Sequence, residues 1–131
     1  MVMSEKTLLF ISQGGTNSAC AALLVRAAGR CGVTAFAGYT DKQLFEVDRT
    51  MVTLMAEDGL DLETVTPLYY MEDLTRDATH VINIGTNVET DKPTYKWDLP
   101  SSDGMGIREI RELLEDMRWK VKNLLDEVAA K

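Results

Sequence analysis

The sequence predicts an α/β fold in three layers, with a four-stranded parallel sheet covered by helices on both faces. Three observations carry this reading. Short β-rich apolar runs alternate with segments of helical periodicity, a pattern that implies right-handed crossovers between parallel strands. The first strand-to-helix junction is a small, polar, Gly-rich turn, Ser12-Gln13-Gly14-Gly15-Thr16-Asn17-Ser18. The last segment, Ile107–Ala129, is long and amphipathic.

The elements follow in order. Thr7–Ile11 (TLLFI) is an apolar strand, and Asn17 to about Gly29 reads as a helix. Asn17 or Ser18 is placed to cap its start, and Gly29 or Gly32 to stop it. Val33–Tyr39 (VTAFAGY) is a second, largely buried strand. Phe45–Asp58 repeats Val47, Met51, Leu54 and Met55 at helical spacing, and Gly59 ends it. Leu60–Pro67 connects, and Tyr70–Arg76 forms one or two helical turns. Thr79–Ile84 (THVINI) is a third strand stopped by Gly85, Thr86–Thr94 a polar loop, and Tyr95–Leu99 (YKWDL) a fourth strand closed by Pro100. In the final helix Ile107, Ile110, Leu114, Met117, Val121, Leu124 and Val128 share one face, and the Glu, Arg and Lys opposite are expected to be solvated.

At 131 residues with 45% hydrophobic and 27% charged content, the chain is expected to form one soluble domain. The net charge of −7, without clustered Lys or Arg, argues against nucleic acid, because phosphate neutralisation needs such clusters. No apolar run is long enough to span a membrane and the first residues lack signal-peptide character, so a cytoplasmic protein is expected. Cys20 and Cys31, read as ends of one helical segment about 16 Å apart, are expected to stay reduced. A lone His80 with no Cys/His grouping predicts no metal site and no cofactor.

In parallel sheets, ligands bind beyond the C-terminal strand edge. Residues 12–18 sit there by topology, together with loops 85–94 and 100–106. Strand, Gly-rich turn and helix aim backbone N–H groups and a helix N-terminus at one spot, which favours an anion. Ser12, Gln13, Gly14, Gly15, Thr16, Asn17 and Ser18 are therefore the candidate site for phosphate, sulfate or arsenate. No basic side chain stands between Lys6 and Arg26 to help.

Six segments in order resemble the low-molecular-weight protein tyrosine phosphatase superfamily, most closely its thioredoxin-linked arsenate reductase branch. Leu8–Ile11 resembles that family's first strand and Ala21–Gly29 its first helix. Met55-Ala56-Glu57-Asp58-Gly59-Leu60-Asp61-Leu62 is similar to its "mkEdGiDls" segment, and His80–Gly85 to its "DvVItmG" strand. Trp97-Asp98-Leu99-Pro100, followed by Ile107-Arg108-Glu109-Ile110-Arg111, is similar to "DWdLpDP…vReIRdeI". The resemblance implies strand order 2-1-3-4.

It also implies a chemistry whose reactive groups are missing. The family's Cys-x5-Arg loop supplies a thiolate and a guanidinium clamp, and an Asp on the last loop moves the proton. Here the thiolate position falls on Ser12, and the Arg position on Ser18 or, if the loop register slips, on an equally uncharged neighbour. The Asp-Pro pair falls on Ser101-Ser102, with Asp103 two residues late. The reductase branch relays a disulfide through further cysteines after strand three, and residues 86–94 contain none. A catalytically inactive or strongly impaired relative is expected, a pseudoenzyme that keeps an oxyanion loop. Cys20–Arg26 matches Cys-x5-Arg literally, but its helix-forming interior puts the two ends on different faces.

Alternatives stand beside this reading. One is an active phosphate-ester hydrolase or arsenate reductase built on Ser12, with Asp103 nearby. Another is a flavodoxin-like binder of a flavin phosphate, using Tyr39, Tyr95 or Trp97. A protein partner or self-association through Trp119 and Met117, or through Tyr69-Tyr70, is a further option.

Overall fold

The computed structural model describes residues 5–129. β1 (Lys6–Ser12) takes the centre of the sheet because both of its faces are apolar: Leu8 and Phe10 point one way, Leu9 and Ile11 the other, and all four are fully buried. β2 (Val33–Tyr39) and β4 (His80–Ile84) flank it, and β5 (Thr94–Trp97) lies outside β4. Every pairing is parallel.

The four expected strands thus stand in the expected order. A fifth was not foreseen: β3, only Leu68–Tyr69, pairs with Gly38 and Tyr39 on the outer edge of β2. It follows Pro67, both residues are exposed, and two residues carry no alternation to read. The resulting order, β3-β2-β1-β4-β5, differs from the flavodoxin order 2-1-3-4-5, where the extra strand lies at the opposite edge.

One face carries the main core. α1 (Thr16–Ala28), α2 (Arg49–Glu57) and α4 (Ile107–Ala129) close over Leu8 and Phe10, and the Phe10 ring packs 5.4 Å from Trp97. α1 sits close to the sheet because Ala19, Cys20, Ala21 and Ala22 are small and wholly buried. The other face is covered more thinly, by α3 (Asp73–Arg76) and residues around it, where Leu74 and Tyr70 meet Leu9, Ile11, Ala78 and Val81.

Two helix starts differ from expectation. α1 begins at Thr16, and its N-cap is Gly15 at φ 98°, with no side-chain cap; neither Asn17 nor Ser18 serves. Only glycine holds that left-handed backbone without strain. α2 begins at Arg49, not Phe45, because Asp48 accepts the Thr50 N–H at 2.9 Å and caps the helix there. Residues 40–47 are left as an irregular strap with a turn at residues 42–44. α4 keeps its expected bounds, but Ile107 is exposed, outside the buried stripe. Met117 is fully buried while Trp119 is exposed, so the two share no surface.

Phe10→Ala should cost about 3–5 kcal/mol, the usual range for an aromatic removed from a core. Urea denaturation should show it as a lower midpoint with unchanged slope.

Candidate functional site

The C-terminal ends of β1, β2 and β4 meet at one edge, where Ser12 pairs with Tyr39 on one side and Ile84 on the other. There the chain turns into α1, and the Ser12 hydroxyl closes the turn. It accepts the Gly15 N–H at 3.1 Å and the Ser18 N–H at 3.2 Å, and donates to Ser18 Oγ at 2.9 Å. Ser18 Oγ in turn faces the carbonyl oxygens of Gly38 at 2.9 Å and Gly15 at 3.1 Å. The hydroxyl of Ser12 has used its proton and both lone pairs. Among the described residues, no protein acceptor closes on the Gly14 or Asn17 N–H groups at the head of α1.

The strap lies against this turn. Asp41 N–H donates to Gln13 O at 3.1 Å and Glu46 N–H to Gly14 O at 3.0 Å. Thr16 Oγ1 donates to Glu46 O at 2.8 Å and accepts the Asp48 N–H at 3.0 Å. The approach is close enough that a Cβ on Gly14 would stand 2.9 Å from Leu44 O. Position 14 must therefore be glycine. Across the cleft, Asn17 Nδ2 donates to Pro100 O at 2.9 Å and Ser102 Oγ to Asp48 Oδ2 at 2.8 Å, which fastens the loop after β5 to α1 and α2. Asn17 Oδ1 is buried without a partner.

These pieces enclose a cleft of ≈ 630 Å³. Of the residues singled out from sequence, Ser12, Gln13, Gly14, Gly15, Thr16, Asn17, Ser101 and Asp103 line it together. Ser18 does not; it is wholly buried and faces β2. Gln43–Glu46 and Asp48 line it too, and sequence reasoning missed them. A helix-cap signal at Asp48 was there to be found, but the strap's position depends on backbone contacts that no side-chain pattern encodes. Glu46, Asp48 and Asp103 bring carboxylates to the wall, and among the described residues no Lys, Arg or His lines it.

The chemistry this allows is narrow. Among the described residues, no carboxylate or imidazole hydrogen-bonds the Ser12 hydroxyl. His80 pairs with Leu8, four residues back along β1 and about 13 Å from the turn, with its Nδ1 2.8 Å from Thr79 Oγ1. The literal Cys-x5-Arg match is closed as well. Cys20 is sealed in the core, where burial pushes its thiol up to about 12 despite nearby Arg118, and Arg26 Nε donates to Ala35 O at 3.0 Å. Trp97 is core, packed on Phe10, and offers no open ring for a flavin. Among the described residues, no group of three His, Cys, Asp or Glu is arranged to hold a metal, and no helix is long and apolar enough to cross a membrane.

No family model matches the chain. In sequence, 85 residues are 31% identical to a Halobacterium salinarum protein named "Putative arsenate reductase". That match takes in 62% of this chain and 60% of the relative, so the chain spans less than two thirds of that protein's length. In structure, the Corynebacterium glutamicum thioredoxin-dependent arsenate reductase superposes with a TM-score of 0.79 at 18% identity, over 99% of this chain and 65% of that one. A low-molecular-weight protein tyrosine phosphatase from T. tengcongensis gives a TM-score of 0.80 at 15% identity, over 94% of this chain and 99% of that one.

Two outcomes are expected. Iodoacetamide should label Cys31 in the native protein and spare Cys20 until unfolding, as read by mass spectrometry. Asp48→Ala should cost about 1–2 kcal/mol through its lost cap and raise amide exchange across residues 100–106.

Proposed function

We propose that the chain, which shares the fold of low-molecular-weight phosphatases and arsenate reductases, is a member of that superfamily without the family's catalysis. In this reading the turn after β1 holds a small oxyanion on backbone amides, and the protein works by binding in the cytoplasm. The observation that carries it is the saturated Ser12 hydroxyl. A nucleophile needs a free lone pair and a base to take its proton, and this one has neither.

The anion side of the proposal rests on the Gly14 and Asn17 N–H groups at the start of a 13-residue helix. Without a guanidinium, each lost charge-assisted hydrogen bond forfeits about 1.5–3 kcal/mol. The Glu46, Asp48 and Asp103 carboxylates weaken binding further. Affinity for phosphate or arsenate is accordingly millimolar or poorer. The Corynebacterium protein is thioredoxin-dependent. This chain's cysteines are Cys20, sealed in the core, and Cys31, outside the cleft, so no thiol relay toward thioredoxin can be drawn.

Hydrolysis of p-nitrophenyl phosphate and thioredoxin-coupled arsenate reduction should both stay at background. A titration with inorganic phosphate, followed by NMR, should shift the Gly14 and Asn17 amides. Turnover that disappears in Ser12→Ala would overturn the non-catalytic reading. Amides that stay still up to saturating phosphate would overturn the anion site.

A further inference from the structure

Large apolar side chains left in water are concentrated beside the cleft. Of the seven such residues among those described, five are Leu44, Phe45, Leu68, Tyr69 and Met71; the others, Ile107 and Trp119, lie on α4. Phe45 and Tyr69 share one surface through Tyr39, while Leu68, paired with Gly38, lies on the other face of the sheet. The Tyr39 ring is centred 4.3 Å from that of Phe45 and 5.6 Å from that of Tyr69, which bridges the strap to the sheet edge at β3. Leu44 and Phe45 are at the same time cleft wall. A contiguous apolar rim around a cleft marks an interaction site more often than a lone exposed residue does.

Charge says what kind of partner fits. The cleft wall next to Phe45 carries Glu46, Asp48 and Asp103 and no cation, and the chain as a whole is at −7. A second copy would bring the same acidity to the contact. The ring platform also already holds a cation: Lys42 places its ammonium 4.4 Å from the Tyr69 ring centroid. Aromatic faces bordered by carboxylates attract Lys and Arg through both the ring quadrupole and direct ion pairing.

We propose that this rim docks a segment of a partner protein in which apolar residues alternate with Lys or Arg. Its apolar side chains rest on Leu44, Phe45 and Tyr69, and a basic one reaches the acidic wall at Glu46 and Asp103. The proposal does not rest on the anion reading, because the amides of Gly14 and Asn17 play no part in it.

The test uses the full chain and three short synthetic peptides: one of alternating lysine and leucine with serine ends, one with glutamate for lysine, and one with serine for leucine. Fluorescence anisotropy and NMR shifts should show the lysine–leucine peptide bound at residues 44–46 and 68–71, and the other two bound at least several-fold more weakly. Phe45→Ser, Tyr69→Ser and Glu46→Gln should each weaken it roughly threefold, the scale of an exposed cation–π or ion-pair contact. Lys42→Ala should tighten it by freeing the Tyr69 ring. The peptide-free amide NMR spectrum of each variant reports an intact fold independently. Equal binding of the glutamate peptide, or shifts elsewhere, would overturn the proposal. So would sedimentation showing a dimer buried on this rim, which would make a second copy the occupant.

Discussion

The turn after β1 is closed by a neutral hydroxyl, and much of the site depends on that group being both donor and acceptor. A thiolate in its place would only accept. Ser12 accepts two amides and passes its proton to Ser18, which faces Gly38 O on β2. The chain of bonds therefore joins β1, α1 and β2 without any outside group. Leaving one such buried donor or acceptor unmade would cost about 1–3 kcal/mol. A turn satisfied from within needs no ligand to hold its shape.

The electrostatics point the same way. A helix N-terminus favours an anion by about 0.3–1 kcal/mol when exposed, a modest field. Glu46 and Asp103 are solvated, so water and salt screen their repulsion beyond about 8 Å, while Asp48 stays tied to Thr50 and Ser102. In the proposed reading, the Gly14 and Asn17 amides are left to hold an anion against nearby carboxylates, and they hold it weakly.

Much of the sheet was legible because its strands have apolar runs long enough to read, and α4 because its stripe keeps helical period over twenty-three residues. β3 was not, since two exposed residues after a proline carry no period. The start of α2 was misread because Val47 continues the apolar spacing while Asp48, a residue later, takes over as cap. The turn itself was legible from its composition, the loop at residues 100–106 from topology, and Ser101 and Asp103 within it from the resemblance. The strap was not. Its contacts with residues 13–16 are largely backbone to backbone, and the Asp48–Ser102 bond joins residues 54 apart.

Ser18 shows how tightly this turn is filled. It is wholly enclosed, with Oγ against Gly38 O and Gly15 O. A guanidinium there would need a new direction for the side chain and space that β2 now occupies. A thiol at position 12 would likewise be a poorer donor to Ser18. The turn is in effect keyed to its two hydroxyls: neither can be exchanged alone without loosening the link between strand and helix.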